Sequence, residues 1–308
     1  MLSSPEVFLA VLAGAVQAGT PLLFATLGEI ITERSGVLNL GVEGMMIVGA
    51  FFGFLGLHLT GSPWMGVLTG ALAGMGMSAI HGFLCITLRG NQVVSGLALT
   101  ILGLGLADFL GAPFMGIVTK GFEAFDFPLL SAIPGIGTAL FRQDALVYLS
   151  YLLPPLLWFL LRYTRWGLGL RASGENPAAV IAAGLSVIRF RWAGVLWGGV
   201  LAGMGGAYLS LAYTHMWTNN ITAGRGWIAV ALVIFAFWRP LRAMAGAYLF
   251  SGIIMLQMNA QAHGVNIPSS LLHMLPYVLT LAALLFSSIR GKGRGAPAML
   301  GVNLEPGE

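Results

Sequence analysis

Arg191–Tyr213 reads RWAGVLWGGVLAGMGGAYLSLAY. After Arg191 it carries no charged residue, and it is long enough to cross a bilayer core, which takes about 20 apolar residues. Gly194, Gly198, Ala202, Gly206 and Ser210 recur at every fourth position, so they share one face of a helix. Small side chains along one face let a second backbone approach closely, which is how helices associate in lipid. The stretch therefore reads as a membrane span that packs through a glycine groove. A second stripe, Gly66, Gly70, Gly74, Ser78 and Gly82, marks another helix of the same kind.

The rest of the chain agrees. Hydrophobic residues make up 57% and charged residues 8%, against about 25% charged in soluble domains. Mean hydropathy is +0.86. The fold class is an all-α polytopic membrane protein of about nine spans (eight to ten). The expected spans are Glu6–Ile31, Gly41–Thr60, Pro63–Leu88, Val93–Val118, Ala145–Arg162, Arg191–Tyr213, a short Gly226–Trp238, Leu241–Gln261 and Leu271–Ile289. Phe127–Phe141 is too short and too rich in Pro and Gly for a full crossing, and reads as an interfacial or re-entrant piece. MLSSPEVFLA lacks the basic flank of a cleaved signal peptide, so the first span is expected to be kept. Cys85 alone gives neither a disulfide framework nor a cysteine metal site.

Basic residues orient the spans. If Arg171 faces the cytoplasm and the spans alternate, that side receives Arg34, Arg89, Arg162, Arg165, Arg171, Arg189, Arg191, Arg239, Arg242, Arg290, Lys292 and Arg294. The other side receives Lys120, Arg142 and Arg225. This asymmetry is the positive-inside pattern. It puts the N-terminus outside and the C-terminus inside, with 291–308 expected as a flexible cytoplasmic tail. Residues 1–290 are expected to form one transmembrane domain.

Val11–Gly19 and Val195–Gly203 align at a constant offset, sharing Val, Leu, Gly, Val, Ala and Gly. The first copy would run inward and the second outward, as in an inverted-topology repeat. Repeat one is expected over about 6–144 and repeat two over about 190–290, joined by a cytoplasmic loop over 163–190. Each copy is followed by a broken element: TERSGVLNLGVEG (Thr32–Gly44) and WTNNITAGRG (Trp217–Gly226). Interrupted segments at matching places in two halves point to a translocation site.

Arg171–Val187, RASGENPAAVIAAGLSV, is the longest polar interruption in the second half of the chain. Asn176 suits an N-cap and Pro177 the first helical position. Gly184 suits a left-handed stop. A helix over Pro177–Ala183 is predicted, too short to span, with Val180 and Ile181 outward.

No enzymatic motif stands out. There is no GxxxxGK[ST] phosphate loop, no HExxH and no GxSxG. The histidines His58, His81, His215, His263 and His273 are not at metal-ligand spacing. The expectation is no catalytic site, no metal and no cofactor on this chain. The net charge of +4 is not read as a nucleic-acid signal. Polar groups at membrane depth are few. Asn39, Glu43, Asn91, Gln92, Ser95 and Asp108 are candidates to line a pathway, the neutral ones suiting a hydroxylated or heterocyclic solute. Glu29 and Glu43 flank the first broken segment. Arg225 is a candidate at the outer face, for a partner protein or lipid headgroups.

Four ordered blocks carry a family resemblance: TPLLFATLGEIITERSGVLNLGVEGMM (Thr20–Met46), NQVVSGLAL (Asn91–Leu99), RASGENPAAVIAAGLSV (Arg171–Val187) and TAGRGWIAVALVIFAFWRPL (Thr222–Leu241). They resemble the bacterial ABC-importer permeases that serve ribose-type sugars, branched-chain amino acids and nucleosides, most of all the nucleoside and simple-sugar branch. The resemblance implies a bacterial inner-membrane protein and a two-permease core, a heterodimer being favoured over a homodimer. It also implies ATP-binding subunits that carry out the hydrolysis, and an external solute-binding protein. It makes Arg171–Val187 similar to the segment that docks on the ATPase, with Arg171, Gly174, Glu175, Asn176, Pro177, Val180, Ile181 and Gly184 as coupling residues. The competing reading is a self-contained secondary transporter or channel with Asp108 as its coupling-ion site. A capped cytoplasmic helix favours the first, because a secondary transporter needs no ATPase dock.

Overall fold

The computed structural model describes residues 5–127, 130–131, 133, 136–262 and 295–303, with isolated positions 274, 278, 281 and 285. The helices are α1 (Pro5–Arg34), α2 (Val42–Thr60), α3 (Pro63–Gly82, prolonged by a π-turn over Phe83–Thr87), α4 (Gln92–Gly111), α5 (Ile136–Phe141), α6 (Ala145–Tyr163), α7 (Arg165–Glu175), α8 (Pro177–Ala182), α9 (Val187–Tyr208, prolonged by a π-turn over Leu209–Tyr213), α10 (Arg225–Phe235) and α11 (Pro240–Ala262). Two two-residue strands, β1 (Phe125–Asp126) and β2 (Arg142–Gln143), pair antiparallel beside α5.

Among the described residues, seven helices are long and apolar enough to cross a membrane. They coincide with the first six expected spans and the eighth. The expected seventh is α10, with 11 residues, about 16 Å of helix against a hydrocarbon core of about 30 Å. The expected ninth, Leu271–Ile289, lies outside the described residues except for four helical positions. Local signals set many helix starts. The Asp144 carboxylate accepts from Leu146 N (2.9 Å) and Val147 N (3.1 Å) to open α6. Asn91 accepts from Val94 N (3.0 Å) to open α4. Gly61, at φ +71°, closes α2 in the left-handed conformation that glycine adopts without penalty.

The helix quoted first, α9, is the axis of the bundle. Its contacts with α3 run in reverse register: Gly66 meets Leu211, Gly70 meets Ala207, Gly74 meets Gly203 and Gly82 meets Trp192. The two helices are therefore antiparallel, backbone against backbone. A second face of α9 packs antiparallel on α1, where Gly28 lies against Gly198 and Thr32 Oγ1 donates to the Gly194 carbonyl at 3.2 Å. A third packs on α2, where Gly49 lies against Gly203 and Ser210 Oγ donates to the Ala50 carbonyl at 2.7 Å. The stripe legible in the sequence serves α1 and α2; α3 takes Gly199, Gly203 and Ala207, which lie on an adjoining face.

Two expectations are corrected. Val180 does not face outward; it is buried against Val187, with Ala172 and Phe190 around it, and only Ile181 is exposed. The tail is not a free coil across 295–303. Met299 N donates to the Gly174 carbonyl at 2.9 Å, Arg191 Nη1 donates to the Val302 carbonyl at 3.0 Å, and Asn303 Nδ2 donates to the Arg89 carbonyl at 2.7 Å. Backbone groups and one asparagine hold this segment, so it needs no apolar periodicity to dock.

Candidate functional site

Residues 35–41 leave the helical path between α1 and α2. Backbone of this kind, buried in a membrane protein, must find its hydrogen bonds inside the protein. Side chains of α3 and α4 provide them. The Gln92 side chain accepts from Leu38 N at 2.7 Å, His81 Nε2 donates to the Leu38 carbonyl at 3.0 Å, and Thr100 Oγ1 donates to the Leu40 carbonyl at 3.0 Å. Ser95 pairs with His81 Nδ1 at 3.0 Å and so fixes the ring. Asn39 folds back within the segment, accepting from Gly41 N (2.9 Å) and donating to Glu29 Oε2 (3.1 Å).

The second interruption lies between α9 and α10. Asn220 (φ +54°), Ala223 (φ +47°) and Gly224 (φ +81°) turn the chain through left-handed backbone. Two of these are not glycine, and such residues persist only where the surroundings hold them. Glu43, at the start of α2, does so. It accepts from Thr222 Oγ1, from Gly224 N at 2.9 Å and from Gly226 N at 2.6 Å. A buried carboxylate thus caps the N-terminus of the half-helix α10, where free N–H groups and the helix dipole favour negative charge. The two interruptions read from the sequence meet at this carboxylate.

The other end of α10 is held as well. Phe237 (φ +53°) and Trp238 (φ +54°) are left-handed. Trp238 Nε1 donates to Glu33, and the Trp238 carbonyl accepts from Arg34 Nε and Nη2, both at 3.4 Å. Sequence reading missed Glu33, Thr222 and Trp238. The available signal was an acidic residue next to Arg34 at the end of α1, and a tryptophan ending a half-length apolar run before Arg239-Pro240.

Of the pathway candidates, Glu43 lies at the junction, Asn39 lies in the first interruption, and Gln92 and Ser95 brace that interruption from α4, Ser95 through His81. Asn91 is exposed and acts as the cap of α4. Asp108 is exposed on α4 beside Phe109, itself 79% exposed, so its carboxylate faces away from the bundle interior. Arg225 is not an isolated cation at the outer face. It opens α10 beside the Glu43 cap, its guanidinium lies 5.6 Å from the centroid of the Tyr213 ring, and it donates to the Ile221 (3.2 Å) and Thr222 (3.3 Å) carbonyls.

The coupling candidates divide into two groups. Asn176 caps α8 by accepting from Ala179 N at 3.2 Å, Pro177 is the first helical residue, and Gly184 has φ +74°. Ala178, Ala179, Ile181, Ala182 and Leu185 form an exposed apolar surface. Gly174 is packed against Arg34 and Gly36. Glu175 is engaged within the chain, 3.6 Å from Arg34 and accepting from Ala298 N at 3.3 Å. Arg171 lies in the turn of α7 before it. No group of His, Cys, Asp or Glu among the described residues is arranged to hold a metal ion.

Three relatives share most of this chain. A Haloferax volcanii protein provisionally named a glucose ABC transporter permease is 43% identical over 91% of this chain and 92% of its own length. A nucleoside ABC transporter permease protein of Lactococcus lactis is 37% identical over 89% and 90%. A guanosine ABC transporter permease protein of Bacillus subtilis is 34% identical over 86% and 87%. No solved structure gives a significant match. The family model described as branched-chain amino acid transport system / permease component matches residues 10–284. A match of that extent, over the spans, both interruptions and the capped α8, makes this chain a member of that family of permease components.

Proposed function

We propose that the chain is one half of the transmembrane core of an ATP-driven importer for a nucleoside or a simple sugar. The observation that carries this reading is the junction at Glu43, where two broken segments from distant parts of the chain support a half-helix inside the bundle. Relatives named for glucose, nucleoside and guanosine transport support the solute class. The neutral hydrogen-bonding groups around the junction suit such solutes better than an ion, and an outward-facing Asp108 offers no interior ion site. Hydrolysis takes place on a separate ATP-binding subunit. A second, related permease completes the core, and an external binding protein delivers the solute. The antiparallel contact of α1 with α9 supports the inverted-repeat reading. Co-purification with the binding protein, followed by identification of its ligand, tests the solute. Recovery of an inorganic ion or of no small solute would overturn it.

Orientation is proposed with the basic face in the cytoplasm. Reporter fusions after Leu88, within Arg171–Val187 and after Arg290 are expected to read as cytoplasmic, and one near Lys120 as external. An external reading at Arg171 would reverse the assignment.

We place the ATPase contact on the exposed surface of α8. A short capped helix passes on a rigid-body displacement that a loose loop would absorb. Ile181→Glu puts a charge on that apolar face. Gly184→Val forces a β-branched residue into left-handed backbone, costing about 1–3 kcal/mol of local strain, with open space around it. Both variants are expected to insert and fold, while uptake falls at least about tenfold and solute-stimulated ATP hydrolysis in liposomes is lost. Wild-type uptake in both would remove α8 from the coupling path.

A further inference from the structure

A cavity of about 280 Å³ opens at the basic end of the bundle, where α6 and α7 meet the α10–α11 turn. Its walls include Arg34, Arg162, Arg171, Arg239, Trp158 and Trp238. Four guanidinium groups in one cavity repel one another, and Arg171 and Arg239 are close enough for their charges to act on Arg34. Among the described residues only Glu175 pairs with any of them, at 3.6 Å from Arg34. The Arg34 guanidinium is otherwise held by the Trp238 carbonyl. Arg171 Nε is buried and has no hydrogen-bond partner. An unpaired buried guanidinium nitrogen is costly, and the cavity beside it would admit an anion.

We propose that this cavity binds the phosphate of an anionic phospholipid headgroup. Basic pockets between membrane helices recognise such headgroups by charge and hydrogen bonding, and guanidinium matches phosphate geometry with paired donors. The choice of lipid over free phosphate rests on the α6 wall. Beside the half-exposed Trp158, α6 presents Leu156 and Phe159 to its surroundings, so the cavity is continuous with an apolar surface along which acyl chains can lie. Tryptophan belongs at the headgroup level of a membrane.

The test is native mass spectrometry of the full chain in mild detergent, with phosphatidylglycerol, phosphatidylcholine or inorganic phosphate added. The wild type is expected to hold phosphatidylglycerol in clear preference to phosphatidylcholine. Arg162→Gln/Arg239→Gln alters two exposed side chains and should weaken that binding by about fivefold per arginine, whereas Arg162→Lys/Arg239→Lys should restore most of it. Lys120→Gln, at the opposite end, should change nothing. Equal affinity of the wild type for the two lipids would overturn the proposal without reference to any variant. Unchanged phosphatidylglycerol binding in the double glutamine variant would overturn it as well. Millimolar inorganic phosphate displacing the lipid completely would show a free-anion site instead.

Discussion

Gly203→Leu is expected to leave no folded, monodisperse protein. A Cβ at Gly203 would lie against the Gly70 carbonyl and within 3.0 Å of Gly74 Cα, while the Gly203 backbone already touches Gly49 of α2. The obstructing atoms are backbone, so no side chain can rotate away, and α3 or α2 must move as a whole. Ordinary overpacking costs about 1–3 kcal/mol; separating two helix faces also forfeits the dispersion contacts along each of them. A protein of total stability about 5–15 kcal/mol has little margin for that loss. Gly76→Leu is the matched control, because nothing lies within 4 Å of a Cβ at that position of α3. Size-exclusion profiles of the two variants in detergent should differ sharply. A wild-type profile for Gly203→Leu would mean that the α9 grooves are not close-packed.

Glu43→Ala is expected to abolish solute uptake and to lower thermal stability severely. It removes the acceptor of Thr222 Oγ1, Gly224 N and Gly226 N together. Each buried donor left unsatisfied costs about 1–3 kcal/mol, and the left-handed turn at Asn220–Gly224 loses the group that fixes it. Glu43→Gln keeps an acceptor oxygen but replaces the other with a donor facing backbone N–H, so partial folding with little transport is expected. Thr222→Val removes one hydroxyl of similar shape and should be the mildest of the three. Uptake of a radiolabelled solute in liposomes and thermal unfolding of the purified complex read both effects. Normal uptake by Glu43→Ala would separate the carboxylate from the pathway.

How far the sequence carried depended on the kind of interaction. Spans were legible because apolar runs of the right length have few alternatives in a chain of this composition. The cap at Asn176–Pro177 was legible because it is local. Glu43 could be singled out as a polar group near a break, but its partners lie across the fold at 222–226 and no spacing reveals them. The inward turn of Val180 was hidden because six residues make fewer than two helical turns and show no periodicity. The outward turn of Asp108 was hidden for a related reason: α4 is apolar on every side, so its pattern does not say which face turns inward. The docked 295–303 segment is held by its main-chain groups and by one side chain, Asn303, so no side-chain pattern reveals it.

That docked segment sets a mechanical limit. Met299 is fastened to Gly174 of α7, and Asn303 to Arg89 and Gly90 in the turn before α4, where its Oδ1 also accepts from Gln92 Nε2 at 3.0 Å. At about 3.3–3.6 Å per residue, the intervening chain reaches no further than about 14 Å. While both fastenings hold, α7 and the α3–α4 turn can tilt or slide past each other but cannot part beyond that reach. The segment is a leash across the basic face: it leaves the two ends free to approach and checks only their separation.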